Sequence, residues 1–113
     1  MFKPLLECKE STIYYNAPTV ILVIGKKQKN ETDNRLMMID CCLCAENMML
    51  AAHALGIGSC WIGSSEPAFR NEILMAEFLI PDGYIPIGTI AFGYPAERPV
   101  TPNKKSPVIT RVR

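Results

Sequence analysis

The chain has 113 residues and a formal net charge of +1, so it can form one ordinary domain and lacks the positive charge of a nucleic-acid-binding protein. Apolar residues make up 49% of it and charged residues 20%, a balance typical of globular proteins. No segment resembles a signal peptide, and the apolar runs look too short or too interrupted for a membrane span. We therefore expect a single cytoplasmic domain over residues 1–113, with no nucleic-acid or membrane partner.

The five cysteines are odd in number, and without a secretion signal they favour free thiols over disulfides. They are Cys8, Cys41, Cys42, Cys44 and Cys60. The run DCCLC could indicate a metal or redox site, yet no second Cys/His pair stands at ligand spacing, and His53 is the single histidine. We expect these thiols to be packing groups and predict no metal site.

The first part of the chain reads as a lead-in, a strand and a loop. Residues 1–17 show no sustained period and are interpreted as a frayed lead-in. The β-branched run TVILVIG, residues 19–25, predicts a strand covered on both faces. The polar residues 26–35 predict a solvated loop.

Residues 36–55 contain no Gly or Pro and predict a long helix. Its apolar residues lie on nearly every side, which predicts burial in a large core or against a second subunit. Its polar residues are Asp40, Glu46, Asn47 and His53, and we expect Glu46, Asn47 and His53 to be buried, hydrogen-bonded packing and interface groups. A short chain cannot easily cover such a helix alone, so we expect a homodimer.

The residues after this helix predict a glycine stop and a second strand. Gly56 fits a left-handed helix cap, and residues 59–62 (SCWI) read as a strand entered through Gly58. The pair Gly56 and Gly58 does not match a dinucleotide-binding turn, because that turn leaves a strand and opens a helix.

Beyond residue 62 the sequence predicts a short helix, a third strand and an arm. Ser64 or Ser65 can cap the helix, and residues 85–94 read as a buried strand. Residues 95–113 carry four prolines and five basic residues and should be extended. This arm is either a disordered end or a segment that packs on a partner and brings Lys104 and Lys105 to an anion.

Three stretches together resemble the C-terminal half of the nitroreductase family. Members of this family are FMN-dependent oxidoreductases and usually homodimers. The stretches are NAPTVILVIG, AENMMLAAHALGIGSCWIG and IPDGYIPIGTIAFGYPAERP, and the resemblance runs from about Asn16 to Lys105. It implies a truncated three-layer α-β-α fold of the α/β (α+β) class. That fold would hold a few-stranded mixed sheet, a long buried helix and an extended C-terminal arm.

The resemblance also implies a flavin-binding strand after the double glycine. Residues Cys60, Trp61, Ile62, Gly63 and Ser64 would lie along the isoalloxazine ring, with backbone N–H groups near Gly63 and Ser64 facing N5 and O4. Fixed main-chain dipoles suit a ring whose charge changes on reduction. The alternative is an ordinary core strand in which Trp61 only fills space.

The same resemblance places Lys105, with Lys104 or Asn103 beside it, near the FMN phosphate, where a charge-assisted contact would form. The alternative is a solvated basic tail. No residue of the long helix is identified as a proton donor, so no catalytic side chain is predicted.

The chain departs from the family in its N-terminal half. Complete members are much longer and begin with an R-R-S-x-R motif that binds the phosphate, whereas the first arginine here is Arg35. The chain could be a piece of a longer protein, a short gene product, or one half of a two-chain protein. We predict an FMN-dependent oxidoreductase that takes electrons from NADH or NADPH and reduces nitroaromatics, quinones or similar small acceptors. The alternative is a non-catalytic dimerising half-domain with weak or no flavin binding.

Overall fold

The computed structural model describes residues 14–63, 69, 75–76 and 78–112. The described elements are β1 (Thr19–Lys26), α1 (Glu31–Ala54), β2 (Gly58–Ile62) and β3 (Tyr84–Gly93). The three predicted strands and the long helix are therefore confirmed. Most of the predicted short helix, including Ser64, Ser65 and Pro67, lies outside the described residues, and so does Cys8.

Helix α1 begins five residues earlier than predicted, at Glu31. Asn30 caps it: its side-chain oxygen accepts a hydrogen bond from the Asp33 N–H at 2.9 Å, and its side-chain N–H donates to the Asp33 carboxylate at 2.8 Å. Capping residues and an acidic first turn are polar by nature, because they satisfy the free N–H groups and face water. Because of this polarity the sequence predicts a loop over all of residues 26–35.

The end of α1 agrees with the sequence. The helix ends at Ala54, and Gly56 has a φ of +74°, the left-handed conformation expected of a glycine cap. The Gly56 N–H donates to the His53 carbonyl at 3.0 Å, and the Ile57 N–H donates to the Ala52 carbonyl at 2.9 Å. After this cap the chain turns back and enters β2 at Gly58.

The three strands form one sheet in the order β1-β3-β2. Strand β3 runs antiparallel to both neighbours, pairing Phe92 with Thr19 of β1 and with Ser59 of β2. The strands β1 and β2, which α1 connects, therefore point the same way with β3 between them. The α+β class is as predicted, but the described strands pair only in antiparallel fashion, so the mixed pairing is not found among them.

Strand β3 tolerates a proline because its register breaks there. Val23 pairs with Gly88 but Ile24 pairs with Pro86, which leaves Ile87 as an extra residue. The pairing of β3 with β2 begins only at Thr89, so in the described sheet Pro86 faces β1 alone. Proline is tolerated at such a bulge because no ladder needs its missing N–H.

Each face of the sheet carries a small buried cluster. On the α1 side, Ala45 packs in a cluster with Val23 and Ile90, and half-buried sulfur-containing and aromatic side chains surround them. On the other face, Tyr14 is buried with Ile62 and Ala91. Tyr14 belongs to the predicted lead-in, so at least this residue of that segment is part of the core, whereas Tyr15 beside it is exposed.

The outer side of α1 is exposed, in contrast to the predicted burial over most of the helix circumference. Of its residues only Ala45 and Ala52 are buried. The large apolar residues on its exposed surface are Leu36, Met38, Ile39, Leu43 and Leu50, and Leu43 is 60% exposed. The polar residues Glu46, Asn47 and His53, which were predicted to be buried, are also exposed in this chain, and so is Asp40. The sheet covers only one side of the helix, so burial in a core of this chain is not found among the described residues, and burial against a second subunit stays a prediction.

Strand β1 is also less covered than the sequence predicts, since a strand covered on both faces was expected. Its exposed fraction alternates along the strand, and Ile21 is exposed rather than covered. Helix α1 is long enough to cross a membrane, and an 18-residue window of it has a mean hydropathy of 1.3, so it meets that criterion by length and composition only. Core helices of other proteins meet the same criterion, and α1 packs on a sheet and carries Asp40 and Glu46.

The C-terminal arm has no helix or strand over residues 94–112, and all of these residues are exposed. Several are large and apolar, namely Tyr94, Val100, Val108, Ile109 and Val112. These apolar side chains are therefore at least 75% exposed in the described part of the chain.

Candidate functional site

The predicted flavin-binding residues lie on β2, an edge strand of the described sheet. Ile62 is buried, whereas Cys60, Trp61 and Gly63 are exposed. Ser64 lies outside the described residues. An edge strand pairs on one side only, so alternate N–H and C=O groups of β2 point away from β3. A planar ligand at this edge can therefore be held by the main chain.

Trp61 lies across the neighbouring strand. It pairs with Ile90 of β3, and its indole reaches two residues along that strand to cover Gly88. A Cβ atom on Gly88 would overlap the indole ring, with Cε2 of the ring only 2.9 Å away. Trp61 is nevertheless 36% exposed, so its ring is supported on one side and open on another.

Gly63 marks the point where β2 leaves the sheet. The last β2–β3 pair is Ile62 with Thr89, and Gly63 follows immediately. Among the described residues, and apart from its chain neighbours, no atom lies within 4 Å of the position of a Cβ atom on Gly63. The space beside this backbone is therefore open, as the approach of a ligand to Gly63 requires.

Two polar groups close to the strand lack strong partners. The Cys60 thiol lies 3.5 Å from the Trp61 carbonyl oxygen, and Cys60 pairs with Ala91. Thr89 is fully buried, and its hydroxyl has no hydrogen-bond partner among the described residues. Sequence reasoning missed Thr89 and Gly88; a glycine inside a predicted strand was the available signal for a close contact at Gly88.

Lys104 and Lys105 are exposed on the arm and have no hydrogen bond or ion pair with any described residue. The arm leaves β3 after Gly93, which pairs with Gly58 at the end of β2 far from Gly63. An extended chain spans at most about 3.5 Å per residue, so residues 94–105 can reach well beyond the length of β2. Neither lysine has a hydrogen bond or ion pair with a described residue of β2.

The cysteines of α1 form no metal site in the described part of the chain, where no group of three or more His, Cys, Asp or Glu side chains converges. The Cys41 thiol lies 3.8 Å from the Ile24 carbonyl oxygen and 3.8 Å from the Met37 sulfur. Burial raises the pKa of Cys41, and the neighbouring Cys42, Cys44 and Asp40 raise it further. A less acidic thiol is a poorer nucleophile and ligand at neutral pH.

An open apolar groove of ≈ 520 Å³ lies at the other end of β2 from Gly63, between the end of α1 and the sheet. Its lining includes Ile21, Met48, Leu55, Phe92 and Tyr94 and contains no charged residue. Charge-bearing ligands such as FMN require donors for a phosphate, so the groove suits apolar side chains better than a nucleotide.

The comparisons with known proteins agree with one another. The model of the nitroreductase family matches residues 4–94. A Bacteroides fragilis nitroreductase crystallised with bound FMN superposes with a TM-score of 0.71 and 32% identity, over 89% of this chain and 54% of that one.

Two curated relatives match shorter segments. A Methanothermobacter thermautotrophicus protein that carries the name NADH dehydrogenase/NAD(P)H nitroreductase is 44% identical over 62 residues, which are 55% of this chain and 32% of that protein. An FMN reductase (NADPH) of Bacillus subtilis is 41% identical over 61 residues, 52% of this chain and 23% of that protein. The matched segments thus span about half or less of the relatives' length.

Proposed function

The chain belongs to the nitroreductase family, and from this premise we propose that it supplies the flavin-ring strand of an FMN-dependent oxidoreductase. The observation that carries the proposal is the β2 edge, where an exposed Trp61 ring stands beside the open backbone at Gly63. FMN, when bound, supplies hydride transfer between a nicotinamide and an acceptor. We propose NADH or NADPH as the donor, and a nitroaromatic, a quinone or a similar small molecule as the acceptor.

The residues of β2 fit the ring of FMN through their backbone. Outward N–H groups at an edge strand can face the polar atoms of the ring without a change of side-chain conformation. Gly63 lets a second ring approach closely because nothing occupies the position of a side chain. Cys60, Trp61 and Ile62 of β2 would lie along the flavin ring, and we propose that Ser64 lies along it too.

The phosphate of FMN needs cations or N–H donors that β2 does not offer. We propose that Lys105, with Lys104 beside it, supplies them from the arm. Both are exposed and free of ion pairs with described residues, so they can contact a dianion. The reach of the arm, and not an observed contact, supports this assignment.

We propose that the chain acts as a homodimer in the cytoplasm. Leu36, Leu43 and Leu50 stand seven residues apart on the exposed surface of α1, which leaves an apolar stripe without a cover in the described part of the chain. The apolar groove at the end of α1 lies next to this helix and offers further surface of the same kind.

A second candidate is a non-catalytic half-domain that dimerises but retains little or no flavin. It is favoured by the composition of β2, which carries no cationic side chain that could hold the phosphate of FMN. Both candidates share the fold and the exposed helix surface, and they differ in flavin retention.

The absorption spectrum of the purified protein separates the two candidates. The protein is saturated with FMN, freed of excess by gel filtration, and measured together with its oligomeric mass. Flavin retained at about one per chain supports the oxidoreductase, and NAD(P)H oxidation with a nitroaromatic or quinone acceptor is then assayed. A folded dimer without flavin would favour the half-domain.

A further inference from the structure

We infer that Gly88 of β3 is a positioning residue for the flavin site, because it allows the Trp61 indole to lie against β3 at the end of the ladder from which Gly63 continues. This inference rests on the proposed function, since it concerns the strand that would face the flavin ring.

The first observation is steric. A Cβ atom on Gly88 would overlap Cζ2 and Cη2 of the Trp61 indole and would lie 2.9 Å from Cε2. A distance below 3.0 Å is one that packed carbon atoms do not adopt, so any other residue at position 88 forces the ring to move. The absence of a side chain at Gly88 is thus what admits the indole.

The second observation concerns the backbone of Gly88. Among the described glycines only Gly56 and Gly83 have a positive φ, so Gly88 does not adopt the left-handed conformation. Gly88 pairs with Val23 of β1, next to the register shift at Ile24 and Pro86. A glycine inside a strand marks a bulge or a close contact, and the Trp61 indole makes a close contact at Gly88.

The third observation connects the contact to the site. The last β2–β3 pair joins Ile62 and Thr89, and Gly63 and Gly88 flank this pair on the same side, one on each strand. The indole that covers Gly88 therefore lies at the end of the ladder from which Gly63 continues. A displaced indole would have room beside Gly63, because among the described residues no atom outside the chain neighbours lies within 4 Å of the position of a Cβ atom there.

The test uses the fact that Trp61 is the single tryptophan of the chain. Its emission spectrum and its quenching by acrylamide report the indole position in the protein without flavin. We compare the wild type, Gly88→Ala and Gly93→Ala. The Gly93→Ala variant is the matched control, because its added methyl group lies on the same strand and meets Pro18 at 3.0 Å instead of Trp61.

The second measurement is the Kd for FMN in the wild type, Gly88→Ala, Trp61→Ala and the double variant. We expect Gly88→Ala to shift the emission, to increase quenching and to raise the Kd about tenfold, whereas Gly93→Ala leaves the emission unchanged. In the Trp61→Ala background, the same change at Gly88 should alter the Kd less than about twofold. A purely structural role for Gly88 would give the same factor in both backgrounds.

The outcomes separate this inference from the proposed function. If the wild type does not bind FMN, both are overturned. If the wild type binds FMN and Gly88→Ala leaves emission and Kd unchanged, only the role of Gly88 is overturned. If Gly88→Ala does not fold, circular dichroism of the double variant decides: recovery of folding supports the contact with Trp61, and its absence contradicts it.

Discussion

Thr89 of β3 lies directly opposite Ile62 of β2, at the last pair of the ladder, and the Thr89 hydroxyl is buried without a partner among the described residues. A buried hydroxyl that lacks a hydrogen bond costs about 1–3 kcal/mol. We expect Thr89→Val to raise the free energy of unfolding by ~1 kcal/mol, because valine has the same shape without the hydroxyl. Urea unfolding measures the change.

The control for this variant is Thr101→Val on the exposed arm, which should change stability by less than about 0.5 kcal/mol. A lower stability of Thr89→Val would contradict the expectation and would mean that the hydroxyl has a partner in the protein in solution.

Ile90→Ala should destabilise the fold strongly. Ile90 has 0% exposure and packs with Val23 and Ala45 where α1 crosses the sheet. Removing a buried isoleucine side chain leaves a cavity and costs about 2–5 kcal/mol. Thermal and urea unfolding test this, with the exposed Ile109→Ala as the control. Equal stability of the two variants would contradict the packing of α1 on this sheet.

Lys105→Ala should weaken the binding of FMN but not of riboflavin. If the lysine contacts the phosphate, its removal affects only the phosphorylated ligand, and we expect the Kd for FMN to rise about tenfold. The difference should shrink at high salt because an exposed ionic contact is screened. Lys29→Ala in the β1–α1 loop is the matched control, and an equal loss for both ligands would assign Lys105 a structural role.

Cys41 gives a pH dependence with a definite sign. Burial raises the pKa of its thiol above the ordinary value of 9.0, so the folded chain holds this proton more tightly than the unfolded chain. The contribution to stability is complete below the unfolded pKa and is lost as pH rises through the folded pKa. We expect unfolding free energy to fall above about pH 9 in the wild type and less steeply in Cys41→Ala.

The same thiol should react slowly with iodoacetamide. The thiolate is the reactive form, and Cys41 is half-buried while Cys42 is exposed. Mass spectrometry of tryptic peptides after short labelling should show Cys42 modified before Cys41. Equal rates would mean that α1 does not hold Cys41 against β1.

Leu43→Lys should convert the proposed dimer to a monomer. Leu43 is exposed in the middle of the apolar stripe of α1, and a lysine buried between two copies would lose its hydration. Analytical ultracentrifugation over a range of concentrations measures the dissociation constant. Asp82→Lys, in the exposed turn before β3, is the charged control; a wild type that is monomeric throughout would refute the dimer.

Local sequence patterns predicted the elements well where one residue type dominates. The β-branched run of β1 and the glycine at position 56 each define their structure locally, and both are confirmed. The start of α1 was missed because Asn30 and Asp33 cap a helix with the same residue types that make loops. Local chemistry therefore identified the elements but not every boundary.

Contacts between strands depend on register, which the sequence does not state. The close contact of the Trp61 indole with Gly88 follows from the pairing of Trp61 with Ile90, and these residues are far apart in the chain. The exposure of Leu43 likewise depends on which side of α1 meets the sheet. The position of Lys105 could not be predicted either, because a proline-rich arm without secondary structure has no local signal for direction.

The order β1-β3-β2 also constrains how the protein is made. The central strand is the last of the three to leave the ribosome, and in the described sheet β1 and β2 have no hydrogen-bonding partner without it. During synthesis α1 can form from local contacts and its own cap, while two strands wait with unpaired edges. Translation speed through residues 63–83, between β2 and β3, therefore sets how long those edges stay available to chaperones or to aggregation.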